Sequence, residues 1–299
     1  MSYDMRVKAP PRRKNHPSGS LALIPSPIKG GLEMTVIATL ITKYATAHAT
    51  DSRRMAGNTI VGSDNETKII PVYKFRGAMS FYGLAEFDND NFNMLKFLRG
   101  QANLNVDTPV ELALRIRDGL RGELGRNRFQ KPLDQGIGIH FSAYERVRGY
   151  LIPELFHISN FSDPTYSSLK ELTASRETFG TMTGTPSQDL SIPIDEEQRL
   201  RVRSFLEKGG MFIYNNGDPV LFNPIAGAVN VVFKALGERR VLENFEDMRN
   251  HCDMIRRPVE IVANLLRDFA QEGERRVGGK IHDYVVRPNG QVLSTSGDG

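Results

Sequence analysis

The chain lacks the features that mark several large protein classes. Among its 299 residues there is one cysteine, Cys252, which excludes an internal disulfide and suits a reducing compartment, with the cytoplasm as the default expectation. No apolar run approaches the roughly 20 residues of a membrane-spanning helix, so no membrane partner is expected. Basic residues near the N-terminus are not followed by an apolar stretch of signal-peptide length. The six histidines show no metal-ligand spacing, and no metal or organic cofactor is expected. The glycine pairs at 30–31, 209–210 and 278–279 match neither GxxxxGK[ST] nor GxGxxG, so no phosphate-binding loop is read. Excess charge is also scarce. Of 39 basic and 35 acidic residues, positions 1–33 hold six and two, and the remaining 33 of each sign balance. The net +4 therefore belongs to the leader, and the neutral body offers no field for nucleic acid.

What is present is an ordinary globular composition, 39% hydrophobic and 25% charged, in a chain long enough to bury a core. Residues 1–33 hold five prolines, a basic cluster and Gly30-Gly31, and read as a disordered leader. Residues 34–294 read as a single domain and 295–299 as a frayed tail. Thr35–Ile41 and Ala45–Thr50 predict a first hairpin, and Lys68–Lys74 with Gly77–Gly83 a second strand pair, with Pro71 assigning its strand to an edge or bulge. Helices are expected over Asn91–Gln101 and after Thr108, where Thr108-Pro109-Val110-Glu111 forms a capping box with proline at the first helical position. Strands return at Gly136–Tyr144 and Gly149–Ile158 across a charged turn, with a further strand expected at Thr178–Thr183. Helices follow at Glu196–Lys208, around Pro224–Leu236 and at Pro258–Gln271, and a hairpin around Pro288-Asn289-Gly290 closes the chain. Antiparallel pairs alternating with helix pairs predict an α+β fold, a four-layer αββα sandwich of two antiparallel sheets flanked by helices.

The candidate chemistry starts from threonine, a weak nucleophile unless a base removes its hydroxyl proton. An N-terminal threonine carries its own base, the free α-amine, which titrates near ~8. A lysine ammonium nearby would lower that pKa, and a buried carboxylate would hold the lysine. Thr35 at the start of the first strand, Asp51 at the end of the second and Lys68 at the start of the third supply these groups in order.

In that order and spacing the chain resembles the N-terminal-nucleophile (Ntn) hydrolases of the proteasome β-subunit family and their bacterial relatives. Asp51 lies 16 residues after Thr35, as in that family, and Lys68 lies 33 after it where the family has 32. Asp51-Ser52-Arg53 is similar to the family's acidic turn, Gly83-Leu84-Ala85-Glu86 to its glycine-small-acid turn, and Val277-Gly278-Gly279 to its Ser-Gly-Gly step. The resemblance implies Thr35 as nucleophile, Lys68 and Asp51 as its tuning pair, and the Gly83 N–H as oxyanion donor. It gives Glu274 the place of the family's supporting aspartate. Ser52 has two readings, orienting the threonine amine or serving the turn. For the family's mid-chain serine, the hydroxyls of Thr181, Thr183 and Thr185 stand as open alternatives. Val277 replaces a serine and brings no hydroxyl.

A free Thr35 amine needs the preceding residues to be absent, and Met34 rather than glycine precedes it. Translation from Met34 followed by methionine removal would expose Thr35. Codons for Lys29-Gly30-Gly31 can hold a ribosome-binding purine run, although the same tripeptide also reads as a flexible linker. The expected activity is a threonine-type peptidase or amidohydrolase acting through an acyl-enzyme. The resemblance implies a homo-oligomer, ring-shaped in that family, and an unfolding ATPase as partner. Two alternatives stand beside this: a catalytically inactive structural or binding subunit, and an Ntn amidohydrolase of small amides.

Overall fold

A computed structural model of the chain describes residues 36–53, 55–56, 59–60, 66–87, 91–125, 136–160, 172–178, 188–216, 225, 227–228, 244–270 and 277–295. The strands are β1 (Ile37–Ile41), β2 (Thr46–Asp51), β3 (Met55–Ala56), β4 (Thr59–Ile60), β5 (Ile69–Val72), β6 (Gly77–Gly83), β7 (Glu86–Phe87), β8 (Phe92–Asn93), β9 (Ile137–Val147), β10 (Tyr150–Ser159), β11 (Thr173–Arg176), β12 (Gln188–Asp189), β13 (Phe212–Asn216), β14 (Ile281–Val286) and β15 (Val292–Ser294). Among the described residues the α-helices are α1 (Met94–Ala102), α2 (Pro109–Leu124), α3 (Glu196–Glu207) and α4 (Met248–Phe269). The expected leader, the end of the tail from residue 296, and most of the helix expected around 224–236 lie outside the described residues.

Two antiparallel sheets carry the fold. One runs in the order β13-β1-β2-β14-β15 and the other β12-β11-β10-β9-β6-β5, with β3-β4 and β7-β8 as separate short hairpins. Period-two alternation divides each sheet into two faces. In the first sheet Ala38, Leu40, Ala47, Ala49 and Val285 pack with Cys252, Ile255, Val259 and Val262 of α4. Three of those strand positions are alanine, which lets the helix approach the sheet closely. In the second sheet Met79, Phe81, Ile139, Phe141, Phe156 and Ile158 pack with Leu112, Ile116 and Leu120 of α2 and with Leu95 and Leu98 of α1. Full burial of each such side chain contributes about 1.5–3 kcal/mol. The remaining faces meet each other, through the cluster of Ile69, Ala78, Tyr284 and Val286 and through the polar layer described below. The result is an α+β arrangement with helices against the outer face of each sheet.

Local signals explain most element boundaries. The Thr108 side chain accepts from the Glu111 N–H, with Pro109 at the first turn of α2. Asp195 and Gln198 form a reciprocal capping box at α3. Pro71 lies in β5, the edge strand of its sheet, as expected, and the Ile69 N–H there is taken by Thr67 Oγ1 (3.2 Å), which blunts that edge further. Three expectations change. The helix expected to begin at Pro258 begins ten residues earlier, capped by Asp247, and runs through the proline. Buried Met248, His251, Cys252 and Ile255 continue the same apolar face, so sheet packing outweighs the lost hydrogen bond. The charged turn expected at 145–148 shrinks to Arg148-Gly149, because β9 continues to Val147. Two unexpected strands form, Thr173–Arg176 and β13, which adds an edge to the first sheet, while the strand expected at Thr178–Thr183 lies outside the described residues except for Thr178. No described helix is long and apolar enough to cross a membrane.

Candidate active site

The sequence places Asp51 at the end of β2, where the strand leaves the first sheet, and Lys68 just before β5 in the second. The fold brings them together. Lys68 Nζ stands 3.6 Å from Asp51 Oδ1, with their side chains 4% and 0% exposed. The same ammonium donates to the Arg53 backbone carbonyl at 2.5 Å. Asp51 accepts two further bonds, from the Val36 N–H at Oδ1 (3.3 Å) and from the Gly278 N–H at Oδ2 (3.1 Å). Every neighbour offering a bond to the carboxyl is thus a donor, which matches its ionised form. Burial raises the carboxyl pKa above its ordinary value, opposed by the Lys68 charge and then by the Gly278 and Val36 N–H groups.

The acidic turn is clamped onto the double-glycine step at three points. Besides the Asp51–Gly278 bond, the Arg53 N–H donates to the Gly278 carbonyl (3.1 Å) and Ser52 Oγ accepts the Lys280 N–H (2.8 Å). Ser52 thus takes part in the turn, which leaves its other reading, beside the Thr35 amine, outside the described residues. Val277 is buried in the apolar cluster that holds Val36, on the α4 side of the sheet, and its side chain brings no polar group to Asp51.

Gly83 ends β6 opposite Ile137 with φ of 79°, a left-handed conformation that a residue with a Cβ adopts only at a cost. The next N–H, of Leu84, is held by the Gly136 carbonyl (2.9 Å), which fixes the departure of the chain. Beside Lys68 a narrow cleft of about 10 Å³, room for one water molecule, is lined by Glu66, Thr67, Lys68, Phe81, Ala85, Asn93 and Leu95. Gly83 lies in sequence between two of these lining residues, Phe81 and Ala85.

The expected nucleophile Thr35, the acid Glu274 and the candidate hydroxyls Thr181, Thr183 and Thr185 lie outside the described residues. Asp51, Ser52 and Lys68 are brought to one place, joined there by Val36, the covalent neighbour of Thr35. Sequence reading did not find the Gly278 N–H and the Arg53 carbonyl as partners of the pair. Both are backbone groups, and no side-chain pattern marks them.

Between the sheets lies a layer of buried and half-buried polar side chains. His48 pairs with Ser80 Oγ through Nδ1 (2.8 Å) and with Ser142 Oγ through Nε2 (2.7 Å). His140 pairs with Thr39 Oγ1 (2.9 Å) and with Asn216 Oδ1 (2.6 Å). His157 is held between the hydroxyls of Tyr82 (2.9 Å) and Tyr214 (3.0 Å). Burial lowers the pKa of His48 to about 3 and of His157 to about 4, and burial followed by the neighbouring His157 lowers that of His140. All three are neutral at neutral pH. Among the described residues, no three His, Cys, Asp or Glu side chains converge to hold a metal ion.

Compared with protein-family models and with curated proteins, the chain gives no match.

Proposed function

We propose that the chain is a threonine-type N-terminal-nucleophile hydrolase of the proteasome β-subunit kind, cleaving amide bonds with Thr35 as nucleophile. The observation that carries this reading is the buried Lys68–Asp51 pair, whose carboxylate also accepts the N–H of Val36. That N–H belongs to the peptide bond joining Thr35 to Val36. Burying an ammonium costs stability that a carboxylate partner offsets only in part, so such a pair is a candidate for a functional role. Placed next to the residue after a threonine, it has a use.

In the proposed reaction the Thr35 hydroxyl attacks the substrate carbonyl carbon while the Thr35 α-amine takes the hydroxyl proton. The Lys68 charge keeps that amine's pKa low and favours the developing alkoxide, and Asp51 holds Lys68 in place. The Gly83 N–H stabilises the oxyanion. Collapse breaks the amide C–N bond, the amine proton passes to the leaving nitrogen, and an ester to Thr35 remains. Water, deprotonated by the same amine, hydrolyses the ester and restores the hydroxyl. The mechanism calls on no metal or organic cofactor. The full four-layer Ntn architecture, a homo-oligomeric assembly and an ATPase that delivers unfolded peptide belong to the same reading.

Val277 favours a second reading, a non-catalytic structural subunit, since its buried apolar side chain stands where the family has a serine. A peptide epoxyketone distinguishes the two, because it closes a ring with both the hydroxyl and the free amine of an N-terminal threonine. Intact mass should show one adduct on chain that begins at Thr35 and none on its Thr35→Ala counterpart. Absence of adduct on the trimmed chain would reject the catalytic reading and favour the structural one.

A further inference from the structure

The inner faces of the two sheets match side chain for side chain. Strand pairing sets Tyr214, Thr39 and His48 in one row across β13, β1 and β2. It sets His157, His140 and Ser80 in one row across β10, β9 and β6. Each member bonds to its opposite across the gap: Tyr214 to His157 (3.0 Å), Thr39 to His140 (2.9 Å) and His48 to Ser80 (2.8 Å). Tyr82 stands one row closer to the Gly83 end of β6. Its partner Gly138 has no side chain, so the Tyr82 ring passes over β9. Its hydroxyl thereby reaches His157 Nε2 on β10, two strands away, at 2.9 Å. His157 thus joins Tyr82 of the second sheet to Tyr214 of the first. A neutral imidazole has one donor and one acceptor, and a phenol serves as either, so the bridge is complete in both tautomers.

We propose that His157 is a positioning residue of the proposed hydrolysis, the reading on which this inference rests. Through Tyr82 and Tyr214 it fixes the strand of the oxyanion donor Gly83 against the strand that follows the nucleophile. The division of the site calls for such a tie. Thr35 precedes β1 in the first sheet, whereas Gly83 ends β6 in the second. The chemistry therefore depends on how the sheets lie against each other, and a displacement of about 1 Å can cost ~100-fold in rate. Tyr82 is the covalent neighbour of Gly83, and Tyr214 pairs with Thr39 of β1, so three side chains span from one strand to the other. The Lys68–Asp51 pair also links the sheets. It holds the start of β5 to the end of β2, and leaves β6 and β1 to be set by other contacts.

The kinetics of adduct formation with a peptide epoxyketone test this on chain that begins at Thr35, well below the thermal midpoint of each variant. Tyr82→Phe and Tyr214→Phe each remove one hydroxyl of the bridge and keep the ring. Each should slow the saturating rate ~10-fold or more and leave the half-saturating concentration unchanged, because alignment matters in the attack rather than in binding. His157→Phe, which removes both bonds at once, should slow it at least as much. The two tyrosine variants combined should be no slower than the slower one alone, since both cut the same bridge. Ser142→Ala takes a partner from His48 (2.7 Å) on the row opposite Ala78, farther from Gly83. It should lower the urea midpoint and leave the saturating rate as it is. A parent chain that forms no adduct rejects the hydrolase reading itself, and this inference with it. Adduct on the parent with equal rates in the tyrosine variants, losses that multiply in the double variant, or an equal loss in Ser142→Ala would each overturn the positioning role alone.

Discussion

The Lys68 ammonium and the Asp51 carboxylate face each other at 3.6 Å from different sheets, both side chains buried. Removing either partner leaves the other buried without its counter-charge. Lys68→Met and Asp51→Asn should each destabilise the fold, by about 3–5 kcal/mol for the change that leaves a full charge unpaired. The double variant should lose clearly less than the two single losses combined, with a coupling of ~1–3 kcal/mol in urea unfolding. Strict additivity would show that the pair does not act as a unit. If the proposed hydrolysis holds, Lys68→Met should also lower it ~100-fold or more per folded molecule, beyond what the loss of stability removes.

The histidine layer makes the fold acid-sensitive. His48 and His157 titrate in the folded chain at about 3 and about 4, against 6.5 when exposed. Between those values the unfolded chain binds more protons than the folded one, so stability rises with pH across the window. It is complete above about pH 6.5 and is lost as pH falls toward 4 and then 3. For His157 the loss is on the order of 3 kcal/mol, at 1.36 kcal/mol per pKa unit. Urea midpoints measured from neutral pH down to about pH 4 should fall steadily. His157→Gln should start lower at neutral pH, because it breaks the bonds to Tyr82 and Tyr214, yet show a shallower slope. Equal slopes would mean that His157 does not titrate in this window.

The Tyr82 ring occupies the space over Gly138, its partner on the neighbouring strand. A Cβ at 138 would sit 2.0 Å from Tyr82 Cζ, inside the buried ring. Gly138→Ala should therefore cost on the order of 3 kcal/mol and displace the ring from His157. Replacing the ring as well, as Gly138→Ala with Tyr82→Leu, should recover part of the loss. A Gly138→Ala chain as stable as the parent would show that the ring moves aside freely.

How much of this was legible beforehand depends on the range of each interaction. Asp51 and Lys68 were found because their order and spacing after Thr35 resemble those of a known family; that they meet across two sheets is a property of the fold. The Gly278 N–H that completes the carboxylate's shell comes from 227 residues away and leaves no mark in composition. His48, His140 and His157 fall within the strands expected at Ala45–Thr50, Gly136–Tyr144 and Gly149–Ile158. That they form one layer followed only from sheet pairing, with His140 opposite both His157 and Ser80. Pro258 misled because proline usually begins a helix. Here the helix face it continues is buried over more than two turns upstream, and packing outweighs the local signal.

A second, partly buried charge cluster offers a test with the opposite pH trend. On α3, Arg199 reaches Glu145 of β9 (3.0 Å) and Glu154 of β10 (3.5 Å), while Arg176 of β11 holds the other oxygen of Glu154 (2.7 Å). Burial, and next the charge of Glu154, raises the pKa of Glu145, with Arg199 opposing both. Arg199→Met would leave two carboxylates sharing one guanidinium, and should cost about 3 kcal/mol at neutral pH. In that variant the Glu145 pKa rises further in the folded state. The folded chain then binds more protons than the unfolded one, so this part of the loss is recovered as pH falls through the folded pKa. The stability gap between the parent and Arg199→Met should accordingly narrow on acidification, even while both lose stability through the histidines. Adding Glu145→Gln should close much of the gap at neutral pH. A gap that stays constant with pH and ignores Glu145→Gln would mean that Arg199 acts through packing against the strands rather than through charge.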